Sequence, residues 1–184
     1  MSYLSIPEAQ TYPWYVRLIF WLQRRRYGQA LEPSRLWGRL PRVFLGMSAM
    51  YGALDRRSSP LDPALRSLVQ VRVSQINHCA FCVDINAASG LKRGAAQAKL
   101  AELARHAASA AFSEAEKAAL AYAEAMTDSG RRSDEAVIER LRRHFSDDAI
   151  VELTALVAFQ NMSSKFNAAL GVPAQGFCSL DGVK

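Results

Sequence analysis

Cysteine is scarce in this sequence: its 184 residues contain only Cys79, Cys82 and Cys178. A small secreted scaffold held together by disulfides needs many more cysteines, so the composition favours a reducing compartment and predicts a cytoplasmic protein. Half of the residues are hydrophobic. A chain of this length and hydrophobicity can bury one core, and we expect a single domain over residues 1–184.

Long hydrophobic runs are also lacking. The apolar segment at residues 14–22 is interrupted by Arg17, and it is too short for a bilayer, which requires about 20 apolar residues. Three arginines follow this segment instead of preceding it, and no small-residue cleavage site comes after it, which argues against a signal peptide. These absences predict a soluble protein.

Acidic residues are few in the first third of the chain, which is basic and aromatic. Residues 1–60 hold nine arginines against three acids, a surplus equal to the whole net charge of +6. One arginine run without a recognised binding module does not favour nucleic acid as a partner. Residues 13–26 predict a helix whose apolar side packs on the helical core or on a neighbouring subunit, and contact with a membrane surface is less favoured. The predicted apolar side consists of Trp14, Leu18, Trp21 and Leu22.

Strand-like alternation is missing as well, whereas helix signals recur along the chain. Pro13 and Gly28 mark the ends of a first helix, and Asp62 begins another whose apolar positions continue to near Asn77. An alanine-rich helix is expected around residues 100–107. Together these patterns predict an all-α domain of about seven or eight helices.

Three serines have the sequence pattern of helix N-caps. Ser113 is followed by Glu116, which predicts a capping box, and both Ser133 and Ser146 are followed by acids that favour a first helical turn. The helix after Ser146 is expected to be long and to stop before Gly171. The polar residues near its end, expected either to face solvent or to line a cavity or a subunit contact, are Asn161, Ser163, Ser164, Lys165 and Asn167.

Two of the three cysteines form a CxxC pattern at the start of a predicted helix. Positions three residues apart share a helix face, so Cys79 and Cys82 can form a disulfide with little backbone movement. The positive end of the helix dipole stabilises a thiolate at Cys79 and lowers its pKa from about 8.5. The pair therefore favours thiol and disulfide exchange.

Other interpretations of these residues remain open. Zinc needs four ligands, and the sequence offers only His78 and Cys178 beside the pair, so we expect no metal and no other cofactor. A pair of buried, inert cysteines is a stronger alternative. We expect Cys178 to be a bystander thiol, and Asp84 to serve only as an acidic residue in the first turn of its helix.

The segment around the cysteine pair resembles a known family. Residues 65–86 read LRSLVQVRVSQINHCAFCVDIN, which is similar to the core motif of the AhpD-like, carboxymuconolactone decarboxylase superfamily. Residues 112–126 and 145–153 are similar to the later helices of that family, in the same order and spacing. The expected parts of the domain are a basic aromatic helical extension at residues 1–60, the AhpD-like core at residues 60–172 and a tail at residues 173–184.

The resemblance implies an antioxidant enzyme of the alkylhydroperoxidase type, an all-helical peroxidase assembled into homo-oligomers, often trimers or hexamers. It implies a protein or small thiol as reductant and a peroxide or disulfide as substrate. Carried over by position, Cys82 is the peroxidatic thiol and Cys79 the resolving thiol. We expect Cys79 to be the more exposed of the two and to exchange with the reductant.

The family's general base is missing from this sequence. The family has a histidine four residues after the second cysteine and a glutamate twelve residues before the first, where this chain has Asn86 and Ser67. Neither side chain accepts a proton near pH 7, and loss of a general base costs about a hundredfold to ten-thousandfold in rate. His78 is the candidate substitute, as a base or as a cation beside a thiolate, and a solvated histidine at a helix start is the alternative.

The sequence thus predicts a thiol-dependent peroxidase or disulfide oxidoreductase with the catalytic residues Cys79, Cys82 and His78, and with weak or altered activity. A non-catalytic oligomeric family member with a binding role is one alternative. A carboxymuconolactone decarboxylase-type lyase is another, disfavoured because its chemistry does not call for a CxxC pair. Restoring the relay with Asn86→His and Ser67→Glu together is expected to raise peroxidase activity.

Overall fold

Nine α-helices and no strand occur in the part of the chain that the computed structural model describes, residues 2–130 and 135–178. The all-α prediction is confirmed, and the number of helices slightly exceeds the expected seven or eight. The expected cap at Ser133 lies outside the described residues. In chain order, the helices are α1 (Trp14–Tyr27), α2 (Glu32–Trp37), α3 (Pro41–Leu54), α4 (Pro63–Ile76), α5 (Ala80–Lys92), α6 (Gln97–Glu102), α7 (Glu114–Thr127), α8 (Glu135–Arg142) and α9 (Asp147–Ala169).

Most helix ends follow the local signals in the sequence. The Asp62 carboxylate accepts two backbone N–H hydrogen bonds at the start of α4, at 2.8 and 2.9 Å. The capping box of Ser113 and Glu116 begins α7, and the Ser146 hydroxyl caps α9. Each of these contacts satisfies N–H groups that have no partner inside the helix, which fixes where the helix begins.

Helix α4 lies in the middle of the main core, where it packs against α5, α7 and α9. Its residues Leu68, Val69, Val71 and Val73 have no exposed surface. Helix α5 follows after a tight turn in which His78 has a left-handed backbone with φ of 53°. The first turn of α5, which carries the cysteine pair, is therefore inside the bundle.

The predicted alanine-rich helix is shorter than expected. Helix α6 ends at Glu102, and a 3-10 turn over Leu103–Arg105 follows it. Leu100 and Leu103 are both completely buried. Leu100 is buried from α6 and Leu103 from the 3-10 turn, and the alanines that follow do not continue the α-helix.

Helix α1 belongs to a second cluster, and its predicted apolar side does not pack on the helical core. Packing of that side on a neighbouring subunit stays a prediction. Val16 and Phe20 face inward and pack with residues of α2, α3 and the preceding segment. The expected apolar side faces outward instead, with Trp14 73% exposed. Helix α1 is apolar on more than one side, so the periodicity did not identify the buried one. The outward-facing side chains of α1 are Trp14, Leu18, Trp21 and Leu22.

Among the described residues, no helix has both the length and the hydropathy to cross a bilayer.

Candidate functional site

The two cysteines of the CxxC pattern lie at the start of α5 as free thiols. Cys79 is the N-cap residue, and its Sγ accepts a hydrogen bond from the backbone N–H of Cys82, with 3.2 Å between nitrogen and sulfur. Only 1% of Cys79 and 3% of Cys82 is exposed. The expectation that Cys79 is the more exposed thiol is therefore wrong, because the turn at His78 folds the start of α5 into the bundle.

The contact between the two thiols shifts their pKa values in opposite directions. The pKa of Cys79 is lowered, chiefly because the Cys82 thiol donates a hydrogen bond to it, and the backbone N–H of Cys82 adds to the effect. The pKa of Cys82 is raised well above its ordinary value, because its thiol keeps the shared proton and because it is buried. The reduced pair thus favours a thiolate on Cys79 and a protonated Cys82.

An amide side chain from α9 reaches the second sulfur. Asn167 donates a hydrogen bond from its Nδ2 to Sγ of Cys82, at 3.2 Å. Only 1% of Asn167 is exposed, and its Oδ1 is buried without a hydrogen-bond partner. Of the two interpretations given for the polar end of this helix, cavity lining is correct for Asn167. The 85 residues between Asn167 and Cys82 leave no local signal for this contact.

Cys82 opens onto a cavity of about 310 Å³ between α5, α9 and the N-terminal helices. We call it the Cys82 cavity. Its wall is largely apolar and aromatic, with four amide side chains, of which that of Asn167 contacts the sulfur. This combination is typical of sites for small organic ligands, in which a few polar groups orient an apolar molecule. The aromatic side chains in the wall are Tyr27, Trp37, Phe44, Tyr51, Phe81 and Phe159, and the amides are Gln23, Asn86, Gln160 and Asn167.

Cys79 opens onto a different and larger cavity of about 750 Å³, which we call the Cys79 cavity. Helix α5 separates the two spaces, and no residue lines both. The two cysteines therefore border different spaces. The lining of the Cys79 cavity includes Arg72, Gln75, His78, Cys79, Val83, Asp84 and Cys178.

His78 lies on the Cys79 side of the pair. Its side chain is exposed and lines the Cys79 cavity, and it is not part of the wall around Cys82. The structure therefore brings His78 together with Cys79, its neighbour in sequence. It does not place His78 in the cavity of Cys82, the thiol for which the family's general base is missing.

The two positions of the missing relay differ in their surroundings. Asn86 is 9% exposed and lines the Cys82 cavity, one helical turn after the cysteine. Ser67 is completely buried in α4, where Nη1 of Arg93 lies 3.4 Å from its hydroxyl oxygen. A Cβ atom added to Gly90 would lie 3.2 Å from Cβ of Ser67, so α4 and α5 are closely packed there. Position 86 can accept a functional side chain, whereas position 67 has little room for one.

Asp84 has a role that the sequence did not indicate. Its carboxylate accepts backbone N–H hydrogen bonds from Gln175 at 2.8 Å and from Cys178 at 2.6 Å, so it fixes the C-terminal segment against α5. Cys178 is half-buried there, in the same cavity as Cys79. Although Asp84, Cys79 and Cys178 line one cavity, the described residues contain no group of three His, Cys, Asp or Glu placed to hold a metal ion.

The acidity difference between the thiols predicts which one reacts first with an alkylating agent. In the reduced protein, iodoacetamide is expected to modify Cys79 with a midpoint below the pH of about 8.5 at which an ordinary thiol ionises. Cys82→Ala removes the thiol donor and is expected to move this midpoint upward, whereas Cys82→Ser retains an O–H donor and moves it less. The measurement is the labelled fraction of the tryptic peptide of residues 73–92 against pH. Equal midpoints in the alanine and serine variants would contradict the assigned hydrogen bond.

The chain matches a family model and a relative of similar length. The model of the carboxymuconolactone decarboxylase family matches residues 41–125. The uncharacterized protein YnjA of Escherichia coli strain K12 is 42% identical over 177 residues, which cover 96% of this chain and 97% of YnjA.

Solved structures with a similar fold cover nearly the whole chain. One is the alkylhydroperoxidase AhpD core of an uncharacterized peroxidase-related protein from Ralstonia eutropha JMP134, with a TM-score of 0.87, 23% identity, and coverage of 100% of this chain and 97% of that one. Another is the debrominase Bmp8 in complex with 2,3,4-tribromopyrrole, with a TM-score of 0.82, 18% identity, and coverage of 96% and 95%. At these identities the likeness shows the shared fold.

Proposed function

Since the chain belongs to the carboxymuconolactone decarboxylase family, we propose that it is a thiol-dependent oxidoreductase that reduces a small peroxide, or a disulfide, with the Cys79–Cys82 pair. The observation that carries this proposal is the arrangement of two free thiols at one helix start, where Sγ of Cys79 accepts the backbone N–H of Cys82 and each cysteine lines its own cavity. A structural pair of inert cysteines needs neither cavity. A thiol peroxidase can use both, one for the substrate and one for the reductant.

The neighbouring thiolate supplies a substitute for the missing general base, because Cys79 is placed to accept the Cys82 proton. The pKa difference favours the proton on Cys82, so the transfer costs free energy and is consistent with a weak activity. As a peroxide ROOH enters the Cys82 cavity, the Cys79 thiolate takes the proton of Cys82. The Cys82 sulfur then attacks the peroxide, the O–O bond breaks, and the sulfur is oxidised to a sulfenic acid. The alkoxide that leaves takes the proton from Cys79 and departs as ROH.

The second step closes the disulfide. The Cys79 thiolate, free of its proton again, attacks the sulfenic sulfur of Cys82 and expels hydroxide. One peroxide has then been reduced to an alcohol and hydroxide, and two thiols have been oxidised to one disulfide. An external dithiol restores the pair and is itself oxidised to a disulfide.

His78 has a supporting role in this scheme. It lines the cavity in which the reductant meets Cys79. When the external thiol attacks, one sulfur must leave as a thiolate, and a nearby imidazolium can supply its proton. We therefore assign His78 to the reductive half of the cycle.

The wall of the Cys82 cavity suggests the class of peroxide. Six aromatic side chains line it, and the amide of Asn167 touches the reacting sulfur. Such a wall favours an organic hydroperoxide with an apolar or aromatic group over hydrogen peroxide, which makes little use of apolar surface.

Reductive dehalogenation is a second candidate, favoured by the same aromatic wall and by the debrominase with the same fold. An aryl bromide bound at Cys82 would gain the thiol proton and lose bromide, while the two sulfurs form the disulfide. Both reactions consume two thiols per turnover. They are distinguished by their products, an alcohol in one case and free bromide in the other.

The partners of the chain are proposed on the same basis. We propose a dithiol, either a protein or a small molecule, as reductant. The outward-facing apolar side of α1 supports self-association into a homo-oligomer, since monomers rarely expose large apolar patches. Trp21, which belongs to this side, also has a cation–π contact, in which the guanidinium of Arg25 lies 4.2 Å from the centre of its ring.

Mild oxidation tests the proposed function directly. One equivalent of cumene hydroperoxide, which carries an aromatic ring, is expected to convert the reduced protein to the Cys79–Cys82 disulfide. Mass spectrometry would then find the tryptic peptide of residues 73–92, which contains both cysteines, lighter by two hydrogens. Cys178 lies on a separate tryptic peptide, residues 166–184, and serves as an internal reference. Thiols left unchanged in the pair would contradict the enzymatic proposal and favour a binding role.

A further inference from the structure

The burial of the cysteine pair creates a problem for its reduction. Cys79 and Cys82 are 1% and 3% exposed, so their disulfide offers almost no surface to the active site of a protein reductant. Thiol–disulfide exchange requires an attacking sulfur to reach one of the bonded sulfurs directly. A buried pair therefore benefits from a third thiol that can reach both the inside and the outside.

Cys178 occupies the place that such a thiol requires. It lines the Cys79 cavity together with Cys79, and it is half-buried, which makes it more accessible than either member of the pair. It does not line the Cys82 cavity. Of the two members of the pair, Cys79 is therefore the one that shares a cavity with Cys178.

The segment that carries Cys178 is held in position by specific contacts. Asp84 accepts the backbone N–H groups of Gln175 and Cys178. The ring of Phe177 makes edge contacts with Tyr27 and Phe81, with ring centroids 5.8 and 6.2 Å apart. These contacts hold the cysteine at the edge of the Cys79 cavity.

The same segment has the freedom that a relay needs. Residues 175–178 belong to neither a helix nor a strand. Gly176 has a left-handed backbone with φ of 77°, and no atom lies within 4 Å of the place of a Cβ. Movement of Cys178 across the cavity therefore breaks its hydrogen bond to Asp84 but unwinds no helix. It can bring the two cysteines to the Cα separation of about 4.4 to 6.8 Å that a disulfide needs.

We propose that Cys178 is a relay thiol between the buried pair and an external reductant. This inference rests on the proposed function, because it requires the Cys79–Cys82 disulfide. The Cys178 thiolate attacks Sγ of Cys79, the bond between Cys79 and Cys82 breaks, and a bond between Cys79 and Cys178 forms. Cys82 leaves as a thiolate and takes up a proton equivalent to the one that Cys178 released. No net oxidation occurs in this step.

The external dithiol then acts on the new disulfide. It attacks Sγ of Cys178, the half-buried sulfur, and forms a mixed disulfide while Cys79 leaves as a thiolate. The second thiol of the reductant resolves that mixed disulfide. The reductant ends as a disulfide, all three cysteines end as thiols, and two electrons have entered the protein.

Variants that lack one member of the pair test the relay. In Cys82→Ser, only Cys79 and Cys178 remain, and one equivalent of diamide is expected to join them. Trypsin would then yield residues 73–92 linked to residues 166–184. The matched control, Cys79→Ser, leaves two thiols on different cavities and is expected to give no such link under the same conditions.

The outcomes separate the relay from the proposed function. If oxidised wild type contains the Cys79–Cys82 disulfide but Cys82→Ser forms no link to Cys178, the relay is overturned and the proposed function stands. A link that forms equally in Cys79→Ser also overturns the relay. If wild type forms no Cys79–Cys82 disulfide, both proposals fail.

A kinetic measurement keeps the relay testable if the paired variants do not fold. The oxidised protein is reduced either by thioredoxin, a protein dithiol, or by dithiothreitol, a small one that can enter the Cys79 cavity. The ratio of the two reduction rates is expected to fall in Cys178→Ser, because the protein reductant depends on the relay more than the small one does. An unchanged ratio would overturn the proposal.

Discussion

Cys82→Ser is expected to lower the rate of organic hydroperoxide reduction with a dithiol by at least about three orders of magnitude, the scale of loss when a nucleophile acting together with its neighbours is removed. The serine hydroxyl is a poor nucleophile toward peroxide oxygen, and it cannot form a disulfide. The measurement is consumption of dithiothreitol with cumene hydroperoxide as substrate. Hydrogen peroxide, compared at equal concentration, tests the preference that the aromatic wall of the Cys82 cavity implies.

Cys79→Ser is the matched variant for this experiment, because it removes the other sulfur and leaves the attacking one. Turnover is expected to be lost here as well, since neither the base nor the resolving thiol remains. The sulfenic acid at Cys82 is then left unresolved, and dimedone traps it on residues 73–92 of this variant but not of Cys82→Ser. If dimedone labels Cys79 in the Cys82→Ser protein instead, the order of the two thiols is reversed. Thermal unfolding of each variant shows that the fold is retained.

Local chemistry explains why most of the fold could be predicted from the sequence. Asp62, Ser113 and Ser146 cap their helices through hydrogen bonds to residues two or three positions away, so each signal and its effect lie within one helical turn. The CxxC spacing is local in the same sense, and it predicted a helix that begins at Cys79. Periodicity was less informative for α1, because that helix is apolar on more than one side.

The candidate site could be predicted only in part, because its geometry depends on distant contacts. Asn167 lies 85 residues from the sulfur that it contacts, and Cys178 lies 94 residues from its Asp84 anchor. Neither contact has a signal in its own neighbourhood. The burial of Cys79 likewise depends on how α5 packs in the bundle. The sequence therefore indicated that the pair lies at a helix start, but not the two cavities that its cysteines line.

Asn86→His is expected to raise the peroxidase rate by about a hundredfold, the lower end of what a positioned general base contributes. Residue 86 lines the Cys82 cavity one turn after the attacking thiol, so an imidazole there can take the proton of Cys82 directly. Cys79 would then serve only as the resolving thiol. The added rate is expected to increase as pH rises through the imidazole pKa of about 6.5, because only the neutral ring accepts a proton.

Asn86→Gln is the control for this gain, since it changes the side chain without adding a base, and it is expected to leave the pH profile as in wild type. A gain that does not vary with pH between about 5.5 and 7.5 would show that the imidazole acts by filling space and not as a base. Adding Ser67→Glu, as the family pattern suggests, is expected to reduce the benefit. The close packing of α4 and α5 around Ser67 leaves little room for a longer side chain, and burying a carboxylate has a cost even beside Arg93. The structure thus favours the single substitution over restoration of the whole relay.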